Sequence, residues 1–299
     1  MGNIFYFNWE PELMVWLQNL LGDIGAAMAT VVTMLGEETV MVAILGFIYW
    51  CYDKKFGVYV GTNLMVGLVA NPMIKNVFLR YRPYMVHPEV TCLKPVHEGD
   101  LYDPLLQGYS FPSGHTSNSS TMYFSLPVYG KKTWLVVIGI LVPFFVGLSR
   151  VCLGVHYPTD VMAGWILGAV VVAVITFLQK KIKVKWKLYL LIAVTTIPGC
   201  FYCTSNDYYT CFGMMLGFFA ASLFEEKYVN FENTKDVKTA IIRVVGGLAV
   251  FLLANVALKA VFGLIYIEEI GYFLRVIRYG VLVFVTMGVY PMVFKYRKS

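Results

Sequence analysis

The chain has 299 residues, of which 58% are hydrophobic and only 14% charged. A soluble domain carries roughly 25% charged residues, so too little polar surface is present to cover a water-soluble core of this size. The net charge of +6 is not the footprint of a nucleic-acid-binding protein. Its lysines sit in short loops between apolar runs, at Lys54 and Lys55, Lys131 and Lys132, Lys180 to Lys187, and Lys295 to Lys298, which is the positive-inside pattern of membrane proteins.

In chain order, residues 1–24 read as an N-terminal amphipathic segment with a short helix over 9–22. No basic region precedes its apolar run, so a cleavable signal peptide is not expected. Apolar runs then predict about nine membrane helices, near 25–51, 56–75, 112–129, 133–150, 157–179, 188–204, 208–224, 239–264 and 272–294, with two shorter helices as the alternative for the first. Runs of about 20 apolar residues suffice to span a bilayer. They must be helical, because an open sheet would leave backbone groups unpaired in hydrocarbon. The expected fold class is therefore all-α, a polytopic transmembrane helix bundle. The basic loops at 52–55, 130–132, 180–187, 225–238 and beyond 295 are expected on the cytoplasmic side. The N-terminus and the loops at 76–111, 151–156, 205–207 and 265–271 are then outside. The six cysteines read as packing residues or incidental thiols, with a disulfide among Cys200, Cys203 and Cys211 left open.

The segment 112–129 differs from the others, with His115-Thr-Ser-Asn-Ser-Ser-Thr121 in one unbroken run. A lipid-facing helix cannot carry that run, so it belongs inside the bundle or along a wet cavity.

Three clusters carry chemistry. In Lys75-x6-Arg82-Pro83, positions seven apart on a helix share a face, so two cations are expected to point together while Arg80 points elsewhere. Pro83 is expected to help end that helix. In Pro112-Ser113-Gly114-His115, the proline suits a first helical turn. Free N–H groups there favour an anion, and Gly114 lets an oxyanion approach the backbone closely. Ser113 offers a hydroxyl, and His115 exchanges protons near neutral pH. In Ser149-Arg150-x5-His156-x3-Asp160, the i, i+4 spacing can bring a carboxylate to an imidazole and fix its tautomer, leaving the other nitrogen to attack. Fixed cations, an oriented nucleophile and an acid for the leaving oxygen are the parts phosphoryl transfer needs.

These strings, in this order and spacing, resemble the tripartite signature of the type-2 phosphatidic acid phosphatase superfamily. The resemblance is close over residues 75–165 and loose over 25–205. It implies a six-span phosphatase core at 25–205, with its motifs at 75–83, 112–115 and 149–160, and about three additional helices at 206–299. It implies a phosphatase in which His156 forms a phosphohistidine, Asp160 orients it, and His115 protonates the leaving oxygen and then activates water. Lys75, Arg82, Ser113, Gly114 and Arg150 would hold the phosphate. No metal or other cofactor is implied, and vanadate should inhibit. The expected partner is a membrane lipid substrate, a lipid phosphate monoester or a polyprenyl diphosphate, met on the outer side. The expected location is a bacterial plasma membrane rather than an endoplasmic reticulum with a lumenal site. A sugar phosphate, a sphingoid phosphate or an acceptor other than water is the alternative on the same core. A transporter that merely holds phosphate is the non-enzymatic alternative, and it would not need the oriented pair His156 and Asp160.

Overall fold

The computed structural model describes residues 2–95, 99–264 and 270–294. The basic tail expected inside and most of the expected outer loop at 265–271 fall outside them. Among the described residues every regular element is helical, apart from one isolated bridge between Asn3 and Arg80. The helices are α1 (Trp9–Thr33), α2 (Glu38–Phe47, continued by a π turn to Tyr52), α3 (Lys54–Phe78), α4 (Pro83–Val86), α5 (Pro104–Gln107), α6 (Gly114–Gly130), α7 (Thr133–Cys152), α8 (Pro158–Lys181), α9 (Lys185–Thr196), α10 (Asn206–Phe224), α11 (Val237–Gly263) and α12 (Gly271–Phe284). Six stretches of described residues are long and apolar enough to cross a membrane: Trp9–Gly36, Lys54–Phe78, Thr133–Cys152, Pro158–Lys181, Val237–Gly263 and Gly271–Phe294. This is an integral membrane protein. All six cysteines are free thiols.

The first expected span, 25–51, is not one helix. Helix α1 starts at Trp9 and runs to Thr33, with a break at Gly22 (φ 53°, ψ −157°). A 3-10 turn over Met34–Gly36 then ends it, and Glu37 is extended (ψ 146°) before α2 begins. Packing explains the elbow. A Cβ at Gly36 would lie 2.8 Å from Val146 Cγ1 and 3.1 Å from the His115 carbonyl oxygen, so only glycine fits where the chain turns.

The chain divides into two compact units. The first comprises Met1–Met41, Ala70–Ala173 and Cys203–Ser205, and the second Val42–Val69, Val174–Tyr202 and Asn206–Ser299. In the first unit α7 packs on both α1 and α6. Its apolar core includes Met14, Val90, Val151, Tyr157 and Val161, with a second cluster around Tyr84, Leu153 and Val155. The polar run of α6 is buried in this unit, and its hydroxyls are satisfied locally. Ser120 donates to the Thr116 carbonyl (2.7 Å), Thr121 to Ser117 (2.7 Å) and Ser125 to Thr121 (2.6 Å). Buried hydroxyls paired in this way avoid the desolvation cost of unpaired ones. Gly164 and Gly168 let α8 lie against α6, where a Cβ would meet Thr116 Cβ at 2.9 Å and Ser120 Cβ at 2.4 Å.

In the second unit α10 packs along α12. Small residues allow it, since a Cβ at Gly213 or Gly217 would strike the carbonyl oxygens of Val276 or Gly280. Lys54 closes one end of this unit, donating to Glu225 Oε1 (2.8 Å), Asn230 Oδ1 (3.1 Å) and the Phe231 carbonyl (3.0 Å).

Candidate active site

All three signature clusters lie in the first unit. The way the first is built differs from the helical-face expectation. Helix α3 ends at Phe78, and Leu79 turns with φ 50°. Lys75 is therefore in the last turn of a helix, while Arg82 is the extended N-cap of α4 and Pro83 starts that helix rather than ending α3. The turn, not helical periodicity, carries Arg82. Its guanidinium donates to the carbonyls of Gln107 (2.8 Å from Nη2), Gly108 (2.9 Å from Nε) and Val155 (2.9 Å from Nη1). Nη1 lies 3.4 Å from His156 Nε2.

His156 is buried, in the short connection between α7 and α8. On its Nδ1 side stand Ser110 Oγ at 3.3 Å and Asp160 Oδ2 at 3.5 Å. The carboxylate is thus at the edge of direct contact, and Ser110 links the two by donating to Asp160 Oδ2. Oδ2 also accepts from the Tyr157 N–H (2.8 Å), so Asp160, the third residue of α8, reaches back to the residue that precedes the helix. Burial, followed by the charges of Arg82, Arg150 and Lys75, pushes the His156 pKa well below the usual imidazole value. The imidazolium is disfavoured and the ring is held neutral.

The helix of the second cluster begins two residues later than expected, at Gly114 rather than Pro112. Pro112 follows a cis peptide bond and precedes the cap, and Ser113 is the N-cap of α6. Ser113 Oγ accepts from Thr116 Oγ1 (2.9 Å) and the Thr116 N–H (3.5 Å), which leaves its own hydrogen to donate. The Ser113 N–H bonds the Asp160 carbonyl (3.0 Å), tying the loop to α8. Asn71 Nδ2 braces the other side through the Pro112 carbonyl (3.2 Å) and Ser117 Oγ (2.9 Å). Around Gly114 the space is open, since an added Cβ would meet only Asn71 Oδ1, at 3.7 Å. His115 is half-buried in the first turn of α6, within electrostatic reach of Arg150, His156, Lys94 and Arg82.

Arg150 ends α7 and is 2% exposed. Nη1 donates to Thr33 Oγ1 (2.9 Å), but Nε is buried without a hydrogen-bond partner. A buried guanidinium with an unmet donor is costly unless an anion meets it.

Four residues outside the sequence motifs complete the arrangement. Arg80, set aside in the sequence, is fully buried and donates to Asp160 Oδ1 (2.6 Å), Thr159 Oγ1 (2.8 Å) and Glu10 Oε2 (3.0 Å). Its guanidinium also stacks 3.8 Å from the Tyr157 ring centroid. Glu10 Oε1 accepts from the Thr159 N–H and hydroxyl. Ser110 bridges the His–Asp pair, and Thr33 anchors Arg150. The one signal available in the sequence was Glu10 itself, a carboxylate at the start of an apolar run, where an ionisable residue signals a specific partner.

The family model of the PAP2 superfamily matches residues 56–183, and that of the PAP2 superfamily phosphatase, transmembrane extension, matches residues 209–298. An undecaprenyl-diphosphatase of Sulfolobus acidocaldarius is 33% identical over 116 residues, covering 39% of this chain and 52% of that protein. Undecaprenyl-diphosphatase BcrC of Bacillus subtilis is 34% identical, covering 41% of this chain and 55% of that one. The match thus spans about half the length of these two relatives. The decaprenylphosphoryl-5-phosphoribose phosphatase of Mycobacterium tuberculosis is 31% identical over 171 residues, covering 56% of this chain and 88% of that protein. A crystal structure of Aquifex aeolicus LpxE aligns with a TM-score of 0.48 at 25% identity, covering 56% of this chain and 94% of that one. With two matching models that together run from the first unit's motifs to the C-terminal helices, the chain belongs to the PAP2 superfamily.

Proposed function

We propose that the protein is a membrane phosphatase that releases phosphate from a polyprenyl diphosphate or another lipid phosphate, through a phosphohistidine and without a metal. The observation that carries this reading is His156, held neutral, with its Nδ1 side on Ser110 and Asp160 and its Nε2 beside Arg82. A group that only bound phosphate would gain more from a protonated ring. In the first step Nε2 attacks phosphorus, the bond to the leaving oxygen breaks, and His115 gives that oxygen a proton. In the second, His115 takes a proton from water, the hydroxide displaces Nε2, and phosphate leaves with both rings restored. Lys75, Arg82 and Arg150 neutralise the phosphoryl oxygens, with the Ser113 hydroxyl and the Gly114 N–H as further donors. Asp160, itself fixed by Arg80, stabilises the charge that His156 acquires in the covalent state.

A lipid substrate is supported by the membrane setting and by the polyprenyl substrates in the names of the relatives. An outer-facing site is supported by the distribution of lysines between loops, and a bacterial plasma membrane by the short loops and compact chain. The test is phosphate release by purified protein on phosphatidic acid, phosphatidylglycerol phosphate, a polyprenyl diphosphate, sphingosine phosphate and glucose-6-phosphate, each with and without chelator. Release from a lipid in chelator, inhibited by vanadate and lost by at least about 10³-fold in both His156→Ala and His115→Ala, is the expected result. Turnover retained in His156→Ala rejects the mechanism, and transport by that variant would favour a carrier.

A further inference from the structure

The elbow between α1 and α2 contributes to the site although it holds none of the signature residues. Within five residues it anchors Arg150 through Thr33, presses Gly36 against His115, and extends Glu37 toward the loop that follows α4. There Glu37 Oε1 accepts from Lys94 Nζ at 2.7 Å. Lys94 is itself positioned, because the adjacent Leu93 N–H bonds the Leu153 carbonyl (3.0 Å), just before the His156 connection. Unlike the deeply buried Arg82 and Arg150, this pair is partly exposed, Lys94 at 30% and Glu37 at 35%. Glu37 directly follows Gly36, where an added Cβ would lie 3.3 Å from His115 Cβ, so the pair stands next to the stretch of chain that packs on His115.

This places a fourth cation, after Lys75, Arg82 and Arg150, near His115. The proposed function has His115 serve the leaving oxygen, so a cation beside it faces the leaving group rather than the phosphoryl group under attack. A leaving alcohol takes the proton of His115 and keeps little charge for such a cation to stabilise. A leaving phosphate, which is what a diphosphate ester releases when its terminal phosphoryl group is transferred, would gain much. We propose that Lys94 is the subsite for the second phosphate of a diphosphate substrate, with Glu37 as the carboxylate that holds the lysine until that phosphate displaces it. The inference rests on the phosphatase reading above and adds a preference for diphosphates over monophosphates. No bond changes beyond those already described, since Lys94 acts by charge and hydrogen bonding alone. Surface ion pairs of this exposure are weak, so an incoming phosphate can take the lysine from Glu37.

The test compares kcat/KM for farnesyl diphosphate and farnesyl phosphate in the same detergent, using the full chain. The ratio of the two should fall about tenfold in Lys94→Gln, remain near the wild-type ratio in Lys94→Arg, and rise in Glu37→Gln. Inorganic pyrophosphate should compete better than inorganic phosphate in the wild type and lose that advantage in Lys94→Gln. An unchanged ratio in Lys94→Gln, or equal losses on both substrates, overturns the subsite while leaving the phosphatase reading intact. A wild-type protein that cleaves neither substrate nor any other on the panel overturns both.

Discussion

Two buried or half-buried cations, one in each compact unit, are built to opposite ends. Lys54 in the second unit is closed, with three oxygens around its ammonium and the Phe231 ring 4.8 Å away. Arg150 in the first unit is 2% exposed, has Thr33 for one nitrogen, and keeps Nε without a partner. Burying a charge is tolerable only when it is paired, so the closed cluster reads as structure and the open one as a place for an anion. Two arginines of the first unit show that an unmet Nε alone does not mark a phosphate site: Arg80 also keeps Nε without a partner but has its charge met by the Glu10 and Asp160 carboxylates, whereas Arg82, two residues on, donates to three backbone carbonyls and places Nη1 3.4 Å from His156 Nε2.

The sharpest break of this comparison is Arg150→Met. It should lower kcat/KM by about 10²–10³ while Tm in detergent holds or rises, because a buried guanidinium with an unmet donor has gone. Normal turnover would show that the open arginine is not part of the phosphate site. Lys54→Met should do the reverse, leaving turnover as it is and costing about 1–2 kcal/mol of stability, a figure discounted for the partial exposure of Lys54. A denaturant or thermal shift checks it, and a loss of activity without a loss of stability would contradict the structural reading. The smallest effect expected is on pH. The folded-state pKa of His156 is lowered by burial and then by Arg82, Arg150 and Lys75. The neutral ring therefore persists below pH 6.5, and with His156 as the proposed nucleophile the acid limb of kcat/KM, corrected for substrate ionisation, should lie under that value. The stability this contributes is present above the unfolded histidine pKa and lost as pH falls below it. Lys75→Met removes one opposing charge and should move the limb upward. A limb at or above 6.5 in the wild type would contradict the neutral-ring reading.

Much of the fold was legible as apolar runs, because a span of hydrocarbon imposes its own length and composition. The first run left one long helix or two shorter ones open for a physical reason. Hydropathy is continuous across 25–51, and the contacts of Gly36 with Val146 and His115 decide for a turn there. The face argument for Lys75 and Arg82 failed likewise, since it assumed a helix that Leu79 interrupts.

By itself the sequence determined which residue types are available for chemistry, His115, His156, Asp160 and the cations, because their identities and spacings within 75–160 are local. The tertiary structure alone decided how those groups are held. Glu10 reaches Arg80 across 70 positions, Arg80 reaches Asp160 across 80, and Thr33 reaches Arg150 across 117. Pairings at such separations leave no period in the chain, and they exist only once the helices have packed and removed the water that would otherwise serve those charges.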